Sequence, residues 1–263
     1  MMPGGRALMQ LVRPYSRLAA TYDQTLGWAS FVRTRRAFER LVRHYGIRFA
    51  SAADLGCGTG LFACYLGRYW GVPVFAVDRS PEMLQVARCN CPDPRVCWLR
   101  QDLRCLRLPC PVDLATANFD TVNHLLTAPS LRAAFRRVYA NLRPGGWFIF
   151  DFVTPRLPRD GLRAYFRRFR SLGLHLLRRI RWDPRTRVLS SLIVRRAPAG
   201  CVPEMEVHRE RAYTPRQVVR CLRAAGFLVR GLHDAWTLRS PQRCPERIIA
   251  VAQKSRRREV SRT

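Results

Sequence analysis

Ala53-Asp-Leu-Gly-Cys-Gly-Thr-Gly60 closes a strand-like run and opens a helix-like one. Its glycines stand at every second position, Gly56, Gly58 and Gly60, and remove the side chains that would hold a bulky ligand away from the backbone. Asp54 puts a carboxylate where the strand ends, and Asp78 follows 24 residues later, closing a second apolar run over 74–77. A glycine turn with an acid about 20 residues on is the geometry that holds a ribose over a strand–turn–helix. Dinucleotide loops carry G-x-G-x-x-G, whereas this one reads G-x-G-x-G with an acid two residues before the first glycine. A carboxylate there repels a pyrophosphate and suits a cationic amino group. The plain alternative is a structural tight turn.

Outward from the loop, strand-like and helix-like runs alternate. Residues 51–55 read as a strand and 61–69 as its helix; 72–77 is the next strand. Ser80 can cap the following helix, with Pro81 at its first position and Glu82 near the positive end of the dipole. Residues 96–99 and 112–117 read as strands, 131–142 as a helix with an apolar stripe, and 147–152 as a buried strand behind the stop at Pro144-Gly-Gly146. Before the loop, residues 7–46 carry two helical patterns with aromatic stripes, parted by Gly27. After 153 the alternation breaks into three β-like runs, 174–182, 187–196 and 202–211, with turn signals at Asp183-Pro184 and Pro198-Ala-Gly200. Thr214-Pro-Arg-Gln217 is a capping box that starts a helix ending at Gly226, and 227–232 and 247–252 supply two last strands. Such alternation predicts an α/β fold, a parallel sheet with helices on both faces and right-handed crossovers.

The formal net charge is +29, the electrostatic footprint of a nucleic-acid binder. Yet 46 of the 47 basic residues are arginine, and phosphate binding does not require the exclusion of lysine. A codon bias toward G and C gives that exclusion directly. The sequence Lys254-Ser-Arg-Arg-Arg-Glu reads as a solvated end rather than a binding module. None of the ten cysteines forms a CxxC pair, so no metal is expected and the thiols are read as reduced. No apolar run reaches the roughly 18 residues of a membrane span, and Met-Met-Pro-Gly-Gly-Arg lacks a signal peptide's apolar stretch. The expectation is a cytoplasmic protein; oligomeric state is not readable.

The glycine loop resembles the first motif of class I S-adenosylmethionine-dependent methyltransferases, and bacterial small-molecule members of the methyltransferase domain 25 type in particular. Val77-Asp78-Arg-Ser-Pro-Glu-Met83 looks like the second motif and Arg100-Gln-Asp102-Leu103 like the third; Leu142-Arg-Pro-Gly-Gly146 matches the stop before strand five, and Tyr15-x6-Tyr22-Asp23 with Trp28 resembles an N-terminal lid. The resemblance implies a Rossmann-like seven-stranded, mostly parallel sheet. It divides the chain into a helical lid (1–50), a cofactor-binding core (51–152 and 213–254), an antiparallel β-rich substrate-covering insertion (153–212) and a basic disordered tail (255–263). It also implies S-adenosylmethionine as cofactor, held by Tyr22, Asp54, Gly56, Cys57, Gly58, Gly60, Asp78, Arg79, Met83, Asp102, Leu103, Asn118 and Phe119. Asp78 would take the ribose hydroxyls, Asp102 the adenine amino group, and Met83 would pack near the adenine. Other readings stand beside these: Asp102 beginning a turn, Met83 and Tyr22 as core, Asp78 as a neighbour of the Ser80 cap.

In open α/β sheets the ligand lies beyond the carboxyl ends of the strands, which points to Asn118-Phe-Asp-Thr-Val-Asn-His124 as the meeting place of donor and acceptor. Phe119 would cover the cofactor; Asp120, Asn123 and His124 stand near the emerging methyl group, or cap the next helix. His124, the natural base near neutral pH, and Asp120 are the catalytic candidates. The expected reaction is in-line methyl transfer to a nitrogen or oxygen of a small molecule. An amine-bearing metabolite is favoured, with Glu206 and His208 on one strand face as pocket candidates. Two competitors remain. An RNA methyltransferase is suggested by the charge and by 13 arginines between 156 and 196, though nucleic acid is not the favoured partner. The other is a noncatalytic cofactor-binding adaptor.

Overall fold

The computed structural model describes residues 9–156, 167–169, 176–195, 202–241 and 245–256. In chain order its elements are β1 (Gln10–Val12), α1 (Trp28–His44), β2 (Ala52–Leu55), α2 (Leu61–Trp70), β3 (Val74–Asp78), α3 (Pro81–Asn90), β4 (Val96–Arg100), β5 (Val112–Ala117), α4 (Ala128–Ala140), β6 (Leu142–Val153), β7 (Arg167–Phe169), β8 (Leu176–Asp183), β9 (Val188–Arg195), β10 (Glu204–Arg211), α5 (Pro215–Ala224), β11 (Phe227–Asp234) and β12 (Arg247–Lys254). The main sheet runs β11-β12-β6-β5-β2-β3-β4. All neighbours are parallel except those of β12, which is antiparallel to both β6 and β11. The strand order reverses between β2 and β5, so the crevice for a ligand opens beyond the ends of β2, β3 and β5.

Local sequence accounts for most of these elements. Ser80 Oγ accepts the Met83 N–H at 3.2 Å, with Pro81 at the first turn of α3. Thr214 and Gln217 bond reciprocally and start α5. Helix α4 begins earlier than the apolar stripe suggests, because Thr127 caps it and Pro129 is tolerated in its first turn. It ends at Ala140, before Pro144, and β6 already starts at Leu142. The strand's alternation divides the core. Phe148, Phe150 and Phe152 pack with Leu131, Phe135 and Val138 of α4 and Val218 and Leu222 of α5. Ile149 faces the opposite layer with Phe38, Leu41, Phe62, Leu66 and Leu84 of α1–α3. The sole lysine, Lys254, donates from Nζ to the carbonyls of Tyr139 and Leu142, at the carboxyl end of α4.

A second sheet is ordered β1-β10-β9-β8-β7. Strands β7 to β10 are antiparallel, as the three β-like runs predict, whereas β1 pairs parallel to β10. The turn expected at 198–200 lies outside the described residues, as do much of the arginine-rich stretch and the tail from 257.

The first of the two helices expected within 7–46 does not form. In its place are β1, a short 3-10 turn (Ala19–Thr21) and a π-turn (Asp23–Gly27) that runs into α1. The cause lies in Glu206, only 3% exposed, whose carboxylate accepts the backbone N–H groups of Tyr15, Arg17 and Leu18 at 2.9, 2.7 and 2.9 Å. Those amides are unavailable to a helix, and Tyr15 takes a left-handed φ of 66° to present its own. His208 Nε2 lies 2.7 Å from the same carboxylate. Burial pushes Glu206 upward, but His208 and the three amides hold it below its ordinary value. Glu206 thus fastens the segment to β10, beside the ion pair of Arg17 with Glu204 at 2.9 Å and the pairing of β1.

Replacing Glu206 by alanine leaves three backbone donors without their acceptor, that of the buried Leu18 among them. Hydrogen exchange at Tyr15, Arg17 and Leu18 should accelerate at least roughly tenfold, about 1.4 kcal/mol of local stability, while the amides of β2, β5 and β6 keep their protection.

Candidate functional site

The turn after β2 is held by its neighbour strand. Gly56 N–H and Cys57 N–H both donate to the Val77 carbonyl, at 2.7 and 3.0 Å, and Gly58 N–H donates to Asp78 Oδ2 at 2.9 Å. The other Asp78 oxygen accepts the Ser80 N–H at 2.8 Å. Burial raises Asp78 above its ordinary value, against these two donors. The three glycines have different reasons to be glycine. A Cβ on Gly56 would stand 2.4 Å from Thr121 Oγ1, and one on Gly60 would stand 2.6 Å from the Trp98 ring. Gly58, at φ +53°, would point a Cβ into open space. Gly60 therefore seats α2 against β4 and, unlike the other residues expected to bind cofactor, does not line the cavity.

That cavity has a volume of about 390 Å³ and is walled by Tyr22, Asp54, Gly56, Cys57, Gly58, Asp78, Arg79, Met83, Asp102, Leu103, Asn118 and Phe119. Tyr15 and His124 also reach it, with Thr59, Phe62, Gln101, Arg104 and Thr121, which the sequence did not single out. Thr59 donates to Asp23 Oδ1 at 2.5 Å, tying the glycine loop to the segment before α1. Met83 is both core and cavity wall, 2% exposed. Asp102 begins a short turn, capping it through the Arg104 N–H at 2.8 Å, pairs with that residue's guanidinium at 2.6 Å, and lines the cavity. The guanidinium, with the Arg104 amide, holds Asp102 below the usual carboxylate range.

Three observations suit the cavity to S-adenosylmethionine. Asp54 is 2% exposed, and burial pushes it up to about 7 against the Thr116 hydroxyl bond at 2.9 Å. An ammonium group beside it would restore the charge. Asn118 Nδ2 is a buried donor with no protein partner, on the cavity wall. The space above Gly58 is what any side chain would fill.

A second cavity, about 480 Å³, lies under the second sheet and shares Tyr15, Tyr22, Phe119 and His124 with the first. Phe119 and Asp120 both adopt left-handed φ, 56° and 60°, so the loop after β5 is strained where the cavities meet. Asp120 faces only the second cavity. Arg247 from β12 binds Asp120 at 2.6 and 3.0 Å and Asp151 at 2.8 Å, and Asp151 accepts the Asp120 N–H at 3.0 Å. Asp120 is thus an ion-pair partner of the part-buried Arg247 guanidinium.

His124 also departs from expectation. Nδ1 lies 3.1 Å from the Arg209 carbonyl, which can only accept, so Nδ1 carries the proton and Nε2 accepts from Tyr15 Oη at 3.0 Å. Burial first, then the charge of Arg79, pushes the imidazole down to about 4. It is neutral near pH 7 but a weaker base than its residue type suggests. Asn123 is fully buried, bonding to the backbone of Val153 and Arg211, away from both cavities. Glu206 faces the Tyr15–Leu18 turn, while its neighbour His208 lines the second cavity. Arg247 and Asp151 escaped the sequence reading: they lie 96 residues apart, and no local pattern announces the pair.

Among the described residues, no group of His, Cys, Asp or Glu is placed to hold a metal ion, and no helix is long and apolar enough to cross a membrane.

Residues 52–146 match the Methyltransferase domain family. A Geobacillus sp. (strain WCH70) protein named as a methyltransferase is 26% identical over 91% of this chain and 99% of its own. The dTDP-3-amino-3,6-dideoxy-alpha-D-glucopyranose N,N-dimethyltransferase of Streptomyces fradiae is 28% identical over 72% of this chain and 74% of its own. Among solved structures, an S-adenosylmethionine-dependent methyltransferase from Clostridium acetobutylicum ATCC 824 superposes with a TM-score of 0.77 at 21% identity, covering 92% of this chain and 99% of that one.

Calorimetric titration should show S-adenosylmethionine affinity falling as pH drops through about 7, because protonated Asp54 no longer attracts an ammonium; Asp54→Asn should flatten the profile. Gly58→Val and Asp78→Ala should abolish measurable binding, whereas Gly60→Ala should act chiefly by lowering the unfolding temperature.

Proposed function

We propose that this chain, a class I S-adenosylmethionine-dependent methyltransferase, methylates a nitrogen or oxygen of a small-molecule metabolite held in the second cavity. The observation that carries the reading is the shared wall: two cavities, one suited to the cofactor, meet at Tyr15, Tyr22, Phe119 and His124. Bound in the first, the cofactor supplies a methyl group already activated by its sulfonium. The acceptor's lone pair forms the new bond as the carbon–sulfur bond breaks; that electron pair stays on sulfur, and the acceptor's proton leaves to solvent.

The protein's contribution is then alignment and exclusion of water. Asp54 would hold the ammonium, Asp78 the ribose hydroxyls and Asn118 one acceptor atom of the cofactor, with Met83 and Leu103 against the adenine. Arg79 and Cys57 would close the sides, and Phe119 would cover the reacting end. His124 acts through Tyr15: by accepting the phenolic proton it turns the Tyr15 oxygen's lone pairs toward an incoming acceptor. Burial keeps Tyr15 protonated, which suits that role. Asp120 holds Arg247 and so shapes the loop after β5. The Streptomyces fradiae relative acts, by its name, on an amino sugar, which favours nitrogen as the acceptor atom. A cytoplasmic setting accords with the eight free thiols among the described residues.

The test is methyl transfer from labelled S-adenosylmethionine to fractionated cell extract, with metabolites separated from RNA. Label in the metabolite fraction is expected. Label confined to RNA, or cofactor binding with no transfer to either pool, would overturn the reading. With an acceptor in hand, His124→Ala and Tyr15→Phe should each lower kcat by roughly ten- to hundredfold, in the range of a lost positioning interaction, with cofactor affinity little changed.

A further inference from the structure

Two imidazoles, His124 and His208, stand on the wall of the second cavity, and the reading above uses only the first. His124 has both nitrogens engaged, Nδ1 on the Arg209 carbonyl and Nε2 under the Tyr15 hydroxyl, so neither offers a lone pair to a ligand. His208 differs. Its Nε2 lies 2.7 Å from a Glu206 carboxylate oxygen, and the residue is only 4% exposed. Among the described residues its Nδ1 takes no hydrogen bond, yet it is not sealed off as the Asn118 amide nitrogen is. A buried imidazole on the cavity wall therefore keeps one nitrogen open.

Glu206 decides what that nitrogen carries. Burial pushes the acid upward, but His208 and the amides of Tyr15, Arg17 and Leu18 hold it below its ordinary value. An ionised carboxylate can only accept, so the neutral imidazole keeps its proton on Nε2 and its lone pair on Nδ1. The same carboxylate stabilises the imidazolium that forms when Nδ1 takes a proton. An acid that fixes the tautomer and steadies the cation is what equips a histidine for general-base work. The position is equally apt. The Tyr15 ring stands edge-on to His208 with centroids 4.5 Å apart, and Tyr15 walls both cavities whereas His208 walls only the second. The open nitrogen thus belongs to the acceptor's side, one ring away from the partition.

We propose that His208, its tautomer fixed by Glu206, is the general base that takes the acceptor's proton at Nδ1. The inference rests on the small-molecule reading above and names the route by which that proton reaches solvent. The acceptor's lone pair forms the bond to the methyl carbon while the carbon–sulfur bond breaks, and that electron pair stays on sulfur. The acceptor atom, now positively charged, passes its proton to Nδ1 and leaves an imidazolium paired with Glu206. Water then takes the proton from the imidazolium and restores the base. His208 meets the acceptor directly and is a catalytic residue; Glu206 acts through it. One carboxylate thereby sets the base and fastens the segment that carries Tyr15.

The experiment uses the full chain, saturated with S-adenosylhomocysteine and carrying histidine labelled with the heavy nitrogen isotope. Sequential NMR assignment identifies the His208 signals, so this arm needs no variant. At the alkaline end of the titration Nε2 should carry the proton and Nδ1 should show the shift of a bare nitrogen. Glu206→Ala should lose that preference. A proton on Nδ1 in the native chain would overturn the proposal. The second arm follows labelled methyl passing from S-adenosylmethionine to the low-molecular-weight fraction of cell extract as the amount of fraction is raised. His208→Gln keeps a donor for Glu206 and removes the base. It should lower the plateau rate by roughly a hundredfold, the low end of general-base assistance. The amount of fraction giving half that rate should change little, and unmoved S-adenosylhomocysteine affinity shows that the fold is intact. An undiminished plateau would overturn the proposal and leave the small-molecule reading standing; no transfer to that fraction by the native chain would overturn both.

Discussion

The hydrogen bond from Gly58 N–H to the Asp78 carboxylate, at 2.9 Å, joins the ends of two neighbouring strands, and the cofactor cavity is built around it. A bare turn after β2 would be free to collapse onto the strand ends. Instead Val77 accepts two of its amides and Asp78 a third, which fixes a concave backbone open above Gly58. The same carboxylate accepts Ser80 N–H, so the start of α3 is set by the group expected to meet the ribose. Asp54, one strand over, is buried without a basic partner among its hydrogen bonds, receiving only the Thr116 hydroxyl and a backbone amide. A buried acid in that state is costly in the absence of a cation, and a sulfonium cofactor with an ammonium end supplies one.

The rest of the molecule closes this cradle. The segment before α1 is held from two sides, by Asp23 on Thr59 and by Glu206 on the Tyr15–Leu18 turn. It therefore links the glycine loop of the main sheet to the second sheet. Tyr15 and Tyr22, carried on it, become the partition between the two cavities. On the opposite side, Arg247 draws Asp120 and Asp151 together and holds Phe119 and Asp120 in left-handed conformations. The two cavities thus share a wall made from two distant parts of the chain, Tyr15–Tyr22 and Phe119–His124, the second braced by Arg247.

What was legible in the sequence was local, and what was not is long-range. The Ser80 and Thr214 caps, the glycine loop, and the acids at 54 and 78 act within a few residues or through one strand-to-strand step, and their spacing announces them. The seven-stranded order follows from the alternation together with the resemblance it supports. The first expected helix failed because apolar periodicity cannot foresee a carboxylate 189 residues away at position 206 taking the Arg17 amide. Gly60 looked like its two neighbours in sequence, yet only Trp98 on another strand distinguishes its role. His124 carried the right chemistry for a base by residue type. Its burial and its two fixed partners, which set its proton and lower its basicity, are properties of the folded loop alone.

The central claim is that the first cavity aims the methyl donor at the partition and that the acceptor waits beyond it. A crystal structure of the S-adenosylhomocysteine complex tests this most directly. The ribose hydroxyls should lie on Asp78, the ammonium beside Asp54, and the sulfur against the wall of Tyr15, Phe119 and His124, facing the second cavity. A ligand whose sulfur points away from that wall, or one bound outside the cradle of Gly56 and Gly58, would contradict the account.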